Sequence, residues 1–198
     1  MVRHVDYHAE TDDFTVVVES QTQKKVLPTE RFDYVMVATG HYSIPFVPDY
    51  PGVDRFPGRV MHSHDFRDAC EFVGKRLLVV GSSYSAEDIA LQSVKYGAEQ
   101  VICTYRTQAM GFKWPEKITE RPIMTHVDGK TVHFSDGSAA DVDAIIFCTG
   151  YLHHYPYLSD TIRLRSPNVL YPANLYKGTW PKSSLDSAVC LHFLKIDS

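Results

Sequence analysis

Residues 77–88 read Leu77-Leu78-Val79-Val80-Gly81-Ser82-Ser83-Tyr84-Ser85-Ala86-Glu87-Asp88. An apolar run without alternation predicts a strand covered on both faces, as in a parallel sheet. The run enters a turn of small residues and passes straight into a helix, which is how a βαβ unit begins. The N-terminus of such a helix offers unpaired N–H groups and a partial positive charge, the arrangement that holds a dinucleotide pyrophosphate. In the G-x-G-x-x-G/A pattern the first glycine makes the turn, the second lets backbone approach the phosphates, and the third packs helix on strand. Those places hold Gly81, Ser83 and Ala86. Serine at the second place departs from the pattern, so the match rests on its context: strand before, helix after, strand again from Val101.

The residue that reads the ribose follows about 20 positions later. An acidic side chain there would bind a 2′-hydroxyl, but this chain has Tyr105-Arg106-Thr107. Arginine instead suits a 2′-phosphate, through a bidentate charge-assisted contact. The expected ligand is therefore NADP(H) rather than NAD. The competing reading of Arg106 is a solvated side chain at a strand end.

The remaining elements fall around this unit. Strands are expected at Val2 to Tyr7, Phe14 to Glu19 and Lys24 to Leu27, with a buried strand from Phe32 to Ala38. Pro45, Pro48, Pro51 and Pro57 mark an irregular connection. A short helix is expected at Phe66 to Phe72, a strand at Arg76 to Val80, and a helix at Ser85 to Tyr96. That helix would bury Ile89, Ala90 and Val94, start at a Ser85–Asp88 capping box, and stop at Gly97. Asp128-Gly129 reads as a hairpin turn between His126-Val127 and the strand from Thr131 to Phe134. Phe32-Asp33-Tyr34-Val35-Met36-Val37-Ala38-Thr39-Gly40 parallels Val142-Asp143-Ala144-Ile145-Ile146-Phe147-Cys148-Thr149-Gly150. Each is a β-meander followed by a buried strand ending at Thr-Gly, the mark of two nucleotide-binding folds in tandem. The competing reading is chance similarity of two apolar runs.

Composition excludes several classes. With 198 residues the chain has room for one sizeable domain or two small ones. A net charge of −4 provides no electrostatic footprint for nucleic acid. No long uncharged apolar run marks a transmembrane helix, and the polar start carries no signal-peptide pattern. The four cysteines, Cys70, Cys103, Cys148 and Cys190, form no C-x-x-C pair, which disfavours a dithiol redox site or a zinc ribbon and fits reduced thiols in the cytoplasm. His62, His64 and Asp65 are weaker as a metal site than as ordinary linker residues.

Upstream of the turn, Phe56, Gly58, His62 and Phe66 fit F-x-G-x-x-x-H-x-x-x-F. With Gly81 to Ala86 behind it and Phe147-Cys148-Thr149-Gly150-Tyr151 later, the chain resembles the flavin-containing monooxygenases. Phe66, where the Baeyer–Villiger relatives carry Trp, points to the amine- and sulfide-oxidising branch. Tyr105-Arg106-Thr107, Met110-Gly111, Lys113-Trp114-Pro115 and Asn174-Leu175-Tyr176-Lys177-Gly178 look most like the bacterial-type trimethylamine monooxygenases.

The resemblance implies an α/β fold: a Rossmann-like NADP-binding domain with a β-meander, plus the remnant of a second Rossmann-like, FAD-binding domain. The expected boundaries are 1–55 for the remnant of the first FAD segment, 56–74 for an interdomain linker and 75–150 for the NADP domain. Residues 151–178 then return to the FAD domain, and 179–198 form a divergent tail. It also implies an NADPH- and O2-dependent enzyme with FAD and NADP(H) as cofactors. Such an enzyme oxygenates a tertiary amine such as trimethylamine, or a sulfide, through a C4a-hydroperoxyflavin, and the full-length family is expected to form a homodimer. Carried over residue by residue, Gly81, Ser83, Tyr84 and Ser85 match the NADP turn, and Arg106 and Thr107 the 2′-phosphate reader. Thr149 and Gly150 match the return toward the flavin, and Val2 a position whose backbone contacts the FAD adenine. The resemblance places the FAD glycine turn and the active-site asparagine upstream of residue 1, so no catalytic residue is assigned within this chain. The alternatives are a truncated, non-catalytic NADP-binding module of the same family, and an NADPH-dependent disulfide reductase, against which the cysteine spacing argues.

Overall fold

The computed structural model describes residues 1–164 and, as backbone, the short strands Leu175–Tyr176, Trp180–Pro181 and Val189–Leu191. The chain divides into two compact units, Pro45–Gly150 and a second made of Met1–Ile44 with Tyr151–Ser198.

The second unit opens with β1 (Val2–His8) and β2 (Asp13–Ser20), paired antiparallel. β3 (Lys25–Val26) pairs with the end of β2, and β4 (Glu30–Phe32) with its beginning. β5 (Val35–Val37) follows. Val5, Phe14, Val37, Tyr155 and Leu158 form the buried core of this unit. The expected buried strand from Phe32 to Ala38 is corrected here. Only Val37 is buried, whereas Phe32, Tyr34 and Met36 are exposed, and β5 spans three residues. One face of β5 packs on the core and the other does not, so its side chains alternate although its sequence reads as uniformly apolar. Backbone pairing joins β5 in parallel to the strand Val189–Leu191.

The unit Pro45–Gly150 is built on a parallel sheet. A two-residue strand, β6 (Ile44–Pro45), lies where the chain passes into it. Then come β7 (Arg59–His62), β8 (Arg76–Val80), helix α1 (Tyr84–Lys95), β9 (Gln100–Tyr105) and β10 (Ile118–Pro122). An antiparallel meander of β11 (Met124–Asp128), β12 (Thr131–Phe134) and β13 (Ala139–Asp141) leads into β14 (Ala144–Phe147). The sheet order is β10-β9-β8-β14-β7, all parallel.

The apolar run of β8 is explained by what covers it. Leu77 and Val79 face a cluster with Ala86, Ile89 and Ala90 of α1. Leu78 and Val80 face a second cluster with Met124, Val127, Val132 and Phe134 of the meander. Both faces of the strand are therefore dry. β14 is central in the same way, and all four of its residues are buried.

Helix α1 buries Ala86, Ile89, Ala90 and Ser93, with Val94 half-buried. It ends as expected at Gly97: the Ala98 N–H donates to Ser93 and the Gly97 N–H to Val94, a Schellman closure. Its start differs from expectation. The N-cap is Ser83 and no side chain caps it, so the Ser85–Asp88 capping box does not form. Both residues already lie inside the first turns, and the place three after the cap holds Ala86, which has no group to reach back. The short helix expected at Phe66 to Phe72 is also absent; two 3-10 turns, Ser63–Asp65 and Cys70–Phe72, stand around an irregular link. The hairpin turn is one residue later than read, with Asp128 paired to Thr131 and Gly129-Lys130 as the loop.

Arg59–His62 and Ile118–Pro122 are strands that carried no readable signal. They form the two edges of the parallel sheet, where half-covered strands tolerate Arg59 and Pro122. Among the described residues no helix is long and apolar enough to cross a membrane.

Candidate dinucleotide site

The chain leaves β8 and moves outward through α1 to β9 and then β10, whereas β14 lies on the opposite side of β8. Sequential strands therefore diverge at the carboxyl end of β8, a topological switch point, where an open α/β sheet forms a crevice for ligand. Gly81 to Ser85 follow β8, Arg106 and Thr107 follow β9, and Thr149 and Gly150 follow β14 just beyond Cys148. The fold thus brings eight of the nine sequence-chosen positions to one edge of three adjacent strands. The ninth, Val2, belongs to the other unit.

Gly81 sits at φ 137°, and a Cβ built on it would lie 2.3 Å from the Cys148 carbonyl oxygen. The Gly81 N–H donates to the Thr104 carbonyl at 3.1 Å, and the Cys148 N–H to the Val80 carbonyl at 2.8 Å, so neighbouring strands grip the turn from both sides. Only a residue without Cβ fits. Ser83, by contrast, is extended at φ −131° and ψ −175°, a conformation open to any residue, which explains why serine serves at the pattern's second place. Its carbonyl accepts the Ala86 and Glu87 N–H groups at 2.8 and 3.1 Å. Ala86 is fully buried between helix and strand, the packing role of the third place. The first-turn N–H groups of α1 receive no side-chain cap, and Tyr84 stands 83% exposed beside them. This end of α1 is therefore accessible, positively polarised and backed by a glycine cradle, which fits a pyrophosphate.

Arg106 is exposed at the first position after β9 and makes no ion pair among the described residues. Its charge acts on Tyr50, whose phenol burial pushes upward in pKa while Arg106 opposes the shift. Tyr50 in turn stacks on Phe147 with ring centroids 6.3 Å apart. The Thr149 hydroxyl donates to the Phe46 carbonyl, and the Gly150 carbonyl accepts the Phe46 N–H at 2.9 Å. The Thr-Gly exit from β14 is thereby clipped to residue 46.

The F-x-G-x-x-x-H-x-x-x-F residues are structural here. Phe56 belongs to the meander-side core. Gly58 approaches β14 so closely that a Cβ would lie 2.3 Å from the Asp143 carbonyl oxygen. His62 is 5% exposed, and its Nδ1 accepts the His64 N–H at 3.0 Å. Burial lowers its pKa, and the Gly150 backbone opposes this. Phe66 stacks on Phe72. Trp114 packs against the α1-side core.

In the other unit, Val2 is 41% exposed and lines an apolar cavity of about 540 Å³ with Val5, Val16, Val35, Val37 and Tyr157. Glu120, which the sequence reading did not single out, lies in β10, and its carboxylate accepts the Met110 and Gly111 N–H groups. No local pattern would have found it, because the loop it holds is ten residues upstream.

A family model described as flavin-binding monooxygenase-like matches residues 1–113 and 115–194. The chain belongs to the flavin-binding monooxygenase-like family. Within it, the chain is 58% identical to trimethylamine monooxygenase of Methylocella silvestris over 178 residues, 90% of this chain and 39% of that protein. Its structure matches Tmm from Pelagibacter sp. strain HTCC7211 with a TM-score of 0.81 at 49% identity, covering 92% of this chain and 41% of the other. It also matches S-allyl-L-cysteine S-oxygenase from Allium sativum, with a TM-score of 0.75 at 30% identity, covering 94% and 43%. The chain thus spans about 39% of the length of the curated relatives it matches. The match to a solved flavin monooxygenase relative bears out the expected α/β, Rossmann-like fold.

Proposed function

We propose that this chain supplies the NADP(H)-binding part, and a portion of the FAD-binding part, of a cytoplasmic flavin-dependent monooxygenase. The enzyme would use NADPH and O2 to oxygenate a tertiary amine such as trimethylamine. The supporting observation is the likeness to trimethylamine monooxygenase at 58% identity across a segment that includes the whole switch-point edge. Oxidation of a sulfide is the second substrate class, favoured by the likeness to an S-oxygenase at 30% identity.

When bound, NADPH supplies a hydride and the flavin the ring that activates oxygen. This chain's residues bind and orient. Gly81, Ser83 and the first turn of α1, with Tyr84 and Ser85, receive the pyrophosphate. Arg106 and Thr107 read the 2′-phosphate. Thr149 and Gly150, held to residue 46, guide the chain out of β14, and Val2 borders the cavity that would take the FAD adenine.

Calorimetric titration of the chain with NADP+, NAD+ and FAD tests the reading, together with NADPH oxidation and oxygen uptake on trimethylamine after FAD is added. Tight NADP+ binding with turnover supports the enzyme. NADP+ binding without FAD binding or turnover supports the alternative, an NADP-binding module. Failure to bind either nucleotide overturns both.

A further inference from the structure

The segment carrying Arg106 and Thr107 runs from the end of β9 to the start of β10, residues 106–117, with no strand or helix of its own. An exposed loop of that length samples many conformations unless something ties it. Its second half is tied by local means. The Trp114 N–H donates to the Phe112 carbonyl at 3.0 Å and the Ile118 N–H to the Pro115 carbonyl at 2.9 Å. Phe112 and Trp114 meet edge to face, with ring centroids 5.3 Å apart.

In the first half the Met110 side chain packs against the α1-side core, and one side chain, Glu120, holds the backbone. Glu120, half-buried on β10 and paired with Cys103 of β9, accepts the Met110 N–H at 2.7 Å on Oε1 and the Gly111 N–H at 3.3 Å on Oε2. Two consecutive amides converging on one carboxylate form a small anion-holding nest, and such charge-assisted bonds are the strong ones. Tyr105, the last residue of β9, fixes one end of the span and this nest fixes the other. Only residues 106–109 remain between them.

We propose that Glu120 is the positioning residue for 2′-phosphate recognition. By holding Met110 and Gly111 it keeps the Arg106 guanidinium and the Thr107 hydroxyl at the edge of β9, so that phosphate binding does not bear the cost of ordering the loop. This rests on the reading of Arg106 and Thr107 as the phosphate reader. Removing the carboxylate frees the Met110 and Gly111 amides, leaves only the Met110 side-chain packing to hold this half, and leaves Arg106 charged but less firmly placed.

The test is calorimetry on the whole chain with two ligands, 2′,5′-ADP and AMP, which differ only in the 2′-phosphate. The variants are Glu120→Ala and Glu120→Gln; the second keeps the shape but presents one amide oxygen where two acceptors stood. Glu120→Ala is expected to weaken 2′,5′-ADP about tenfold while AMP stays within about twofold, with Glu120→Gln in between. Equal weakening of both ligands would assign Glu120 a merely structural role and overturn the proposal. A preference for 2′,5′-ADP that survives intact in both variants overturns it alone. No such preference in the unsubstituted chain overturns the NADP(H) reading and this proposal with it.

Discussion

The turn after β8 makes the sharpest demand on one residue, and Gly81→Ala measures it. Two costs add. The backbone at φ 137° lies where an L side chain is strained, worth about 1–3 kcal/mol. The new methyl would stand 2.3 Å from the Cys148 carbonyl oxygen, 3.0 Å from the Cys148 carbonyl carbon and 3.2 Å from its Cβ. A carbon–oxygen contact closes at roughly 3.3 Å, so β8 and β14 must part by about 1 Å. They are joined there by the bond from the Cys148 N–H to the Val80 carbonyl, and β14 sits between two strands, so relief is not local. Forcing a methyl into such packing costs about 1–3 kcal/mol more. The expected total is about 2–6 kcal/mol, a large share of the stability of an ordinary domain. Gly137→Ala is the control, because Gly137 is also left-handed, at φ 81°, but has nothing within 4 Å of an added Cβ. It should cost only the backbone part, about 1–2 kcal/mol. Urea denaturation at 25 °C, followed by circular dichroism, compares the two midpoints, and NADP+ titration follows the site. Equal midpoints for the two variants would refute the close approach of Gly81 to Cys148.

Arg106→Gln should weaken NADP+ by about tenfold to a hundredfold while leaving NAD+ nearly unchanged, since it removes a charge-assisted contact of about 1.5–3 kcal/mol; calorimetry reads both. The Asp143 carboxyl is held well below the usual carboxylate range, first by the Arg76 side chain, then by the Arg76 backbone N–H, with Lys130 adding to it. A depressed folded pKa adds stability that is present above the unfolded value of about 3.9 and is lost as pH falls through the folded one. Asp143→Asn should therefore cost about 1 kcal/mol at pH 7, the low end because the pair is partly screened by solvent. The difference from the unsubstituted chain should shrink steadily below about pH 4 in urea midpoints. Burial pushes the Cys103 and Cys148 thiols up to about 12, whereas Cys70 is exposed. Brief N-ethylmaleimide treatment of the native chain, read by mass spectrometry, should label Cys70 and spare the other two until urea is added.

The parts of this protein legible in its sequence are those decided within a few residues. Leu77 to Ala86 announce strand, turn and helix because burial on both faces removes alternation, and because one glycine must make the turn. The helix stops at Gly97, whose N–H donates to Val94 while the Ala98 N–H donates to Ser93. The parallel between the runs ending at Gly40 and Gly150 was visible for the same local reason. Its consequence was not, because β14 lies between β7 and β8 and is wholly buried, whereas β5 keeps Met36 exposed. How a strand is covered depends on partners distant in the chain, which an apolar run does not name. Arg59–His62 and Ile118–Pro122 went unread for that reason: they are edge strands, fixed by parallel pairing with residues tens of positions away or across a loop. Ser83 looked like a defect until its extended backbone removed the need for glycine. The sequence by itself determined the βαβ entry and the residue types that suit a 2′-phosphorylated dinucleotide. Only the tertiary structure gathered them, because the crevice exists where the chain leaves β8 toward β9 and away from β14, its parallel neighbour on the other side, and because Glu120 reaches the loop it holds only once β10 has paired with β9.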